Sequence, residues 1–108
     1  GDWLWPAIWM VPVDEKYGVW PKSGEIDIME SRGNRPGHLM QGMPAGHNSI
    51  GQTLHFDRYR YNDGHMENNG WPFAHGELTV PADQSYGKYF HTYGLYWAED
   101  EIYSYIIF

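Results

Sequence analysis

The stretch Gly24-Glu25-Ile26-Asp27-Ile28-Met29-Glu30-Ser31 decides how the rest of the chain is read. Three carboxylates fall between Glu25 and Glu30, separated only by apolar side chains. Isoleucine and methionine in such a run favour an extended strand. Carboxylates among apolar neighbours are costly unless they are paired or solvated. The acids therefore either serve a site or line a solvated edge, where charge discourages strand-to-strand aggregation.

Geometry sharpens the choice. Side chains alternate along a strand, so Glu25 and Asp27 share one face while Ile26 and Ile28 share the other. Strict alternation would put Met29 with the acids and send Glu30 into the core. One extra residue, a β-bulge near Ile28-Met29, returns Glu30 to the acid face. Glu25 and Glu30 then stand about four residues apart, roughly 13 Å between Cα atoms at about 3.3 Å per residue. Leaning side chains could bring their carboxyls to about 5–6 Å, the spacing of retaining glycoside hydrolysis; about 6.5–9.5 Å would imply inversion.

Gly24–Ser31, preceded by Trp20-Pro21-Lys22-Ser23 and by Trp5-Pro6-Ala7-Ile8-Trp9-Met10, resembles the catalytic strand of glycoside hydrolase family 16. The likeness is to the laminarinase-like branch, which holds endo-β-1,3-glucanases and animal β-1,3-glucan-binding proteins. It continues through Thr53-Leu54-His55 and Phe90-His91-Thr92-Tyr93-Gly94-Leu95-Tyr96-Trp97. The resemblance implies an all-β fold, part of a concanavalin-like β-jelly-roll sandwich with a concave sugar-binding cleft. It also implies an endo-acting, retaining, secreted enzyme cleaving laminarin-like β-1,3-glucan, with mixed β-1,3/1,4 linkage open. The alternative within the same branch is a non-catalytic glucan recognition protein of innate immunity, of which Ser31-Arg32-Gly33-Asn34 is also reminiscent.

Composition bounds these readings. The chain has 108 residues, the size of one domain, with 18% aromatic and 19% charged residues. Aromatic rings offer flat apolar faces with polar handles, suited to the C–H faces of sugars. A net charge of −7 argues against nucleic acid, whose recognition requires a basic footprint. There is no long apolar run to cross a membrane. Zero cysteines exclude disulfides and thiolate chemistry. The expected partner is a β-glucan polysaccharide, bound by a monomer.

Helix signals are nearly absent. Thirteen glycines and seven prolines punctuate short β-branched and aromatic runs, an all-β signature. Expected strands are Leu4–Val11, Gly24–Ser31, Ser49–Phe56, Gly76–Val80, Phe90–Trp97 and Glu101–Ile107. The intervals Asp14–Lys22, Arg32–Asn48 and Asp57–Phe73 read as loops. Six strands are too few for a complete jelly roll, and the family's Asp-Gly turn does not follow the last strand. Residues 1–108 are thus expected to form an incomplete internal segment of one catalytic domain.

The resemblance assigns roles residue by residue. Glu25 corresponds to the nucleophile and Glu30 to the acid/base. Asp27, between them, can hold a hydrogen bond to Glu25. Trp20 corresponds to a sugar-stacking tryptophan near the scissile bond, with core packing as the alternative. Trp9 corresponds to a cleft residue, although any tryptophan of that strand could be core; Trp3 and Trp97 read as structural. His55 could hydrogen-bond Glu30 or a sugar hydroxyl. Phe56 stands where the family usually has Trp, which removes an indole donor. Asn34 and Arg32 could line the cleft entrance or make a turn. Trp71 could be an outer-subsite platform or an exposed loop aromatic. The six histidines lack the short spacing of zinc motifs, so no catalytic metal is expected. A structural calcium belongs to the resemblance alone.

Overall fold

The computed structural model describes residues 1–58 and 69–108. Most of the expected Asp57–Phe73 loop lies outside the described residues. The architecture is all-β and antiparallel, consistent with part of a β-sandwich. Strands are β1 (Ala7–Met10), β2 (Glu25–Ser31), β3 (Leu39–Met40), β4 (Met43–Pro44), β5 (Ser49–His55), β6 (His75–Thr79), β7 (Thr92–Trp97) and β8 (Ile102–Ile107). One sheet has the order β1-β2-β5-β6; β3-β4 and β7-β8 are two-stranded.

All six expected strands are present; five have shorter ends, and the expected Gly76–Val80 is found one residue earlier, as His75–Thr79. β1 stops inside Pro6 and Pro12, which lack the N–H that a ladder requires. The expected Arg32–Asn48 loop instead contains β3 and β4. Their two-residue turn, Gln41-Gly42, has φ of 52° and 86°. Positive φ at both positions matches the tight hairpin turn whose twist suits paired strands.

The bulge lies in β2 where the acids require it. Trp9 pairs with Asp27 and Ile8 with Met29, so β2 takes two steps where β1 takes one. Against β5, Asp27 pairs with Thr53 and Glu30 with Gly51, three steps against two. The Gln52 amide closes the gap by donating to the Ile28 carbonyl at 2.9 Å, which satisfies a backbone acceptor displaced by the bulge.

The register divides the sheet into two faces. Glu25, Asp27, Glu30, Thr53, His55, His75 and Glu77 share one face, with Trp9 beside Asp27. Ile8, Met10, Ile26, Met29, Ile50, Leu54 and Leu78 pair with one another on the other. The β7-β8 hairpin meets this apolar face: Trp97 and Ile102 line a gap with Met10, Ile26 and Leu54. The layer is thinly covered. Ala45, Ile50 and Tyr86 are the buried apolar residues among those described. Trp3 and Trp97, read as structural from the sequence, are exposed: Trp3 meets the His38 ring edge-on and Trp97 borders the gap, and neither contact buries the indole.

Candidate active site

Each acid has a distinct environment. Glu25 and Glu30 are half-buried, whereas Asp27 is 3% exposed. The Trp20 indole N–H donates to Glu25 Oε2 at 2.5 Å. The Trp5 indole N–H donates to Glu30 Oε1 at 2.6 Å. The Arg32 guanidinium lies 3.9 Å from that same oxygen and stacks 3.6 Å above the Trp5 ring. Planar guanidinium over indole is a favourable cation–π arrangement. It holds the Trp5 donor and a positive charge beside Glu30 together.

Asp27 is the strongly perturbed acid. Burial, then the negative charges of Glu30 and Glu25, push its pKa up to about 7, against the opposing influence of His55. A side-chain hydrogen bond to Glu25 acts in the same upward direction. Near neutral pH, Asp27 can therefore carry a proton toward Glu25, as a carboxylic acid among like charges does.

His55 pairs with Glu25 in the β2–β5 register, and its Nε2 lies 2.9 Å from Asp27 Oδ2. The sequence pattern pointed to Glu30 or a sugar as its partner; the ring instead bonds the central acid. Its Nδ1 lies 2.8 Å from Asn69 Nδ2, and its ring is tilted against Trp20 at 5.5 Å. Glu25, Asp27 and His55 bring three potential ligand atoms within 4.8 Å of one another. A hydrogen bond already joins two of them, His55 to Asp27.

The remaining candidates divide. Trp20 is 37% exposed, and its indole N–H is committed to Glu25. Trp9 is 54% exposed beside Asp27, a free aromatic surface on the acid face. Trp71 opens a short 3-10 turn, Trp71–Phe73, and its ring meets His75 edge-on at 5.7 Å. It lines a cavity of about 190 Å³ with Glu30, His55, His75 and Glu77, so it stands on the acid side of the sheet. Asn34 has a different position. It is buried, bridges to Gly46, and accepts the Trp3 backbone N–H at 2.9 Å. That geometry ties down the chain instead of presenting an amide at a cleft entrance.

Sequence reasoning missed Trp5 and Asn69. Alternation along the expected strand Leu4–Val11 puts Trp5 on the same side as Trp9, but nothing in the sequence marked its indole as a donor to Glu30, and in the structure it lies outside β1. Asn69 falls within the expected Asp57–Phe73 loop, and nothing in its spacing marks a histidine partner. Farther across the same face, Thr53 bonds His75 at 2.8 Å, and Ser49 bonds Glu77 at 2.7 Å. These contacts continue the polar surface to β6.

No family model and no solved structure matches the chain. Curated proteins do. A protein of Niallia circulans named glucan endo-1,3-beta-glucosidase A1 is 36% identical over 98% of this chain and 13% of its own length. A beta-1,3-glucan-binding protein of Penaeus monodon is 38% identical, covering 98% of the chain and 26% of that protein. A glucan endo-1,3-beta-glucosidase of Cryptopygus antarcticus is 39% identical over 94% of the chain and 30% of its own length. The chain thus spans less than a third of each of these relatives. Over nearly its whole length it is a homologue of proteins carrying both names, the relationship implied by its resemblance to the laminarinase-like branch of glycoside hydrolase family 16.

Proposed function

We propose that this chain carries the catalytic strand of a secreted, endo-acting β-glucanase that hydrolyses β-1,3-glucan with retention of configuration. The observation that carries the proposal is the one-residue bulge in β2, which shifts its register against both β1 and β5. It puts Glu25, Asp27 and Glu30 on one face, and a pair of carboxylates there can work from two sides of a glycosidic bond.

Glu25 attacks the anomeric carbon while Glu30 protonates the departing glycosidic oxygen. The new C–O bond makes a glycosyl ester on Glu25. Glu30, now a carboxylate, takes a proton from water, whose oxygen displaces Glu25 and restores the starting state. Trp20 holds Glu25 Oε2 and fixes the rotamer of the nucleophile. Trp5 holds Glu30 Oε1, so Oε2 is the oxygen that passes the proton. Arg32 balances the charge on Glu30 when it acts as base. Protonated Asp27 lets three acids share the site without three negative charges. Trp9 supplies a ring surface beside them on which a sugar can stack.

A second reading, glucan recognition without turnover, is favoured by the Penaeus monodon relative's name. Both glutamates are present here, which supports the enzyme. Incubation with laminarin separates the two. Release of reducing ends with the β configuration supports the proposal; binding without release selects recognition, and an initial α product rejects retention.

A further inference from the structure

The side chains around Asn69 form a hydrogen-bond chain whose direction can be read from its outer end. The Trp71 backbone N–H can only donate, and it meets Asn69 Oδ1 at 3.1 Å. That fixes the amide: Oδ1 faces Trp71, and the NH₂ faces His55 Nδ1 at 2.8 Å. An NH₂ group can only donate, so His55 Nδ1 must accept and carry no proton. In the neutral ring the proton then sits on Nε2, which faces Asp27 Oδ2 at 2.9 Å.

We infer that Asn69 is a positioning residue that locks His55 in its Nε2–H tautomer, so that the imidazole always donates to Asp27 and never takes Asp27's proton. The consequence falls on the acids. With Oδ2 occupied by the His55 donor, any proton on Asp27 is carried on its other oxygen and is available to Glu25. A histidine of the opposite tautomer would present a lone pair to Asp27 and draw that proton away from the nucleophile. Asn69 is well placed to hold the ring, because it is 7% exposed and its backbone is anchored by a bridge to Asp57. Among the described residues, the groups facing the imidazole are Glu25, Asp27, Asn69 and the Trp20 ring.

The tautomer is independent of turnover; only its catalytic consequence rests on the function proposed above. Nitrogen-15 NMR of histidine-labelled protein tests it, with the His55 signals identified by their loss in His55→Gln. At neutral pH, Nδ1 should resonate as an unprotonated acceptor and Nε2 as a protonated nitrogen. In Asn69→Asp, which keeps the acceptor for Trp71, Nδ1 should become protonated. In Asn69→Ala, which removes the donor, the Nδ1 signal should move toward the tautomeric average. Protonated Nδ1 in the unsubstituted protein, or an unchanged His55 in both variants, overturns the inference. On laminarin, Asn69→Asp should lower kcat on the order of tenfold to a hundredfold with KM nearly unchanged. A shifted tautomer with unaltered kcat rejects the catalytic consequence. Absence of turnover in the unsubstituted protein rejects the proposed function while the NMR result stands.

Discussion

The two faces of the four-stranded sheet are finished to different degrees. On the acid face, Asp27, Ser49, Thr53 and Asn69 are buried, and each has a named hydrogen-bond partner within a neighbouring strand or turn. On the other side, the hairpin leaves Trp97 at 68% exposure and Tyr103 at 50%. The difference lies in what each face requires. A polar site needs a few directional bonds, and adjacent strands supply them. An apolar layer needs area removed from water on both sides, which one hairpin does not provide. The acid face therefore carries a readable site even where the apolar layer is thin.

The largest expected effects are on the acid face and concern rate, not folding. Glu25→Gln should reduce laminarin turnover by about a thousandfold or more, as loss of a nucleophile does, with the melting temperature little changed. Glu30→Gln should cost about 10²–10⁴-fold on glucan. It should spare the first step for an activated aryl glycoside, whose leaving group needs no proton. Equal losses on both substrates, read by transient kinetics, would remove Glu30 as general acid.

Ile50→Ala probes the other face. Ile50 is 3% exposed, so truncation should cost about 2–5 kcal/mol in denaturant unfolding. The kcat of the folded fraction should stay the same. A rate loss without a stability loss would erase the distinction between the faces.

Asp27→Asn sharpens it. The Asp27 carboxyl, raised from 3.8 to about 7, keeps its proton in the folded protein where the unfolded chain has released it. The folded state thus binds more protons between these values. Its contribution to stability is full below pH 3.8 and is lost as pH rises to about 7. Asp27→Asn should flatten that slope in unfolding free energy against pH. It should also lower kcat by roughly ten- to a hundredfold, the scale of a hydrogen bond to a charged group. An unchanged slope would contradict the buried proton.

The smallest effect separates two tryptophans. Trp5→Phe removes the indole donor to Glu30 and should slow glucan cleavage by about three- to tenfold. Trp97→Phe, on the exposed hairpin, should leave kcat within about twofold, the scale expected of a surface substitution. A reversed order would break the assignment of Trp5 to the site.

How much of this was legible in the sequence follows from which signals are local. Alternation across Glu25, Ile26 and Asp27 is local, and so was the need for a bulge before Glu30. The β3-β4 hairpin was not legible, because Gln41-Gly42 lies in a stretch whose glycines and prolines read as loop. Trp20 was assigned to stacking on position alone; its N–H bond to Glu25 depends on the fold of the β1–β2 connection. His55 was read from the sequence as a partner of Glu30 or of a sugar, but its partner is set by strand register, which places it opposite Glu25 and within reach of Asp27. Asn69 was not legible, because its approach to His55 and its bridge to Asp57 are set by the fold and not by spacing.

The central claim is that Glu25 is the nucleophile of a retaining mechanism. An activated 2-deoxy-2-fluoro β-glucoside or β-1,3-glucobioside forms the glycosyl ester quickly and hydrolyses it slowly, so the intermediate accumulates. Mass spectrometry of the digested protein should then find one sugar on the peptide containing residues 24–31, with fragmentation placing it on Glu25. Labelling at Glu30 or Asp27, or laminarin hydrolysis with no adduct on any carboxylate, would contradict the account.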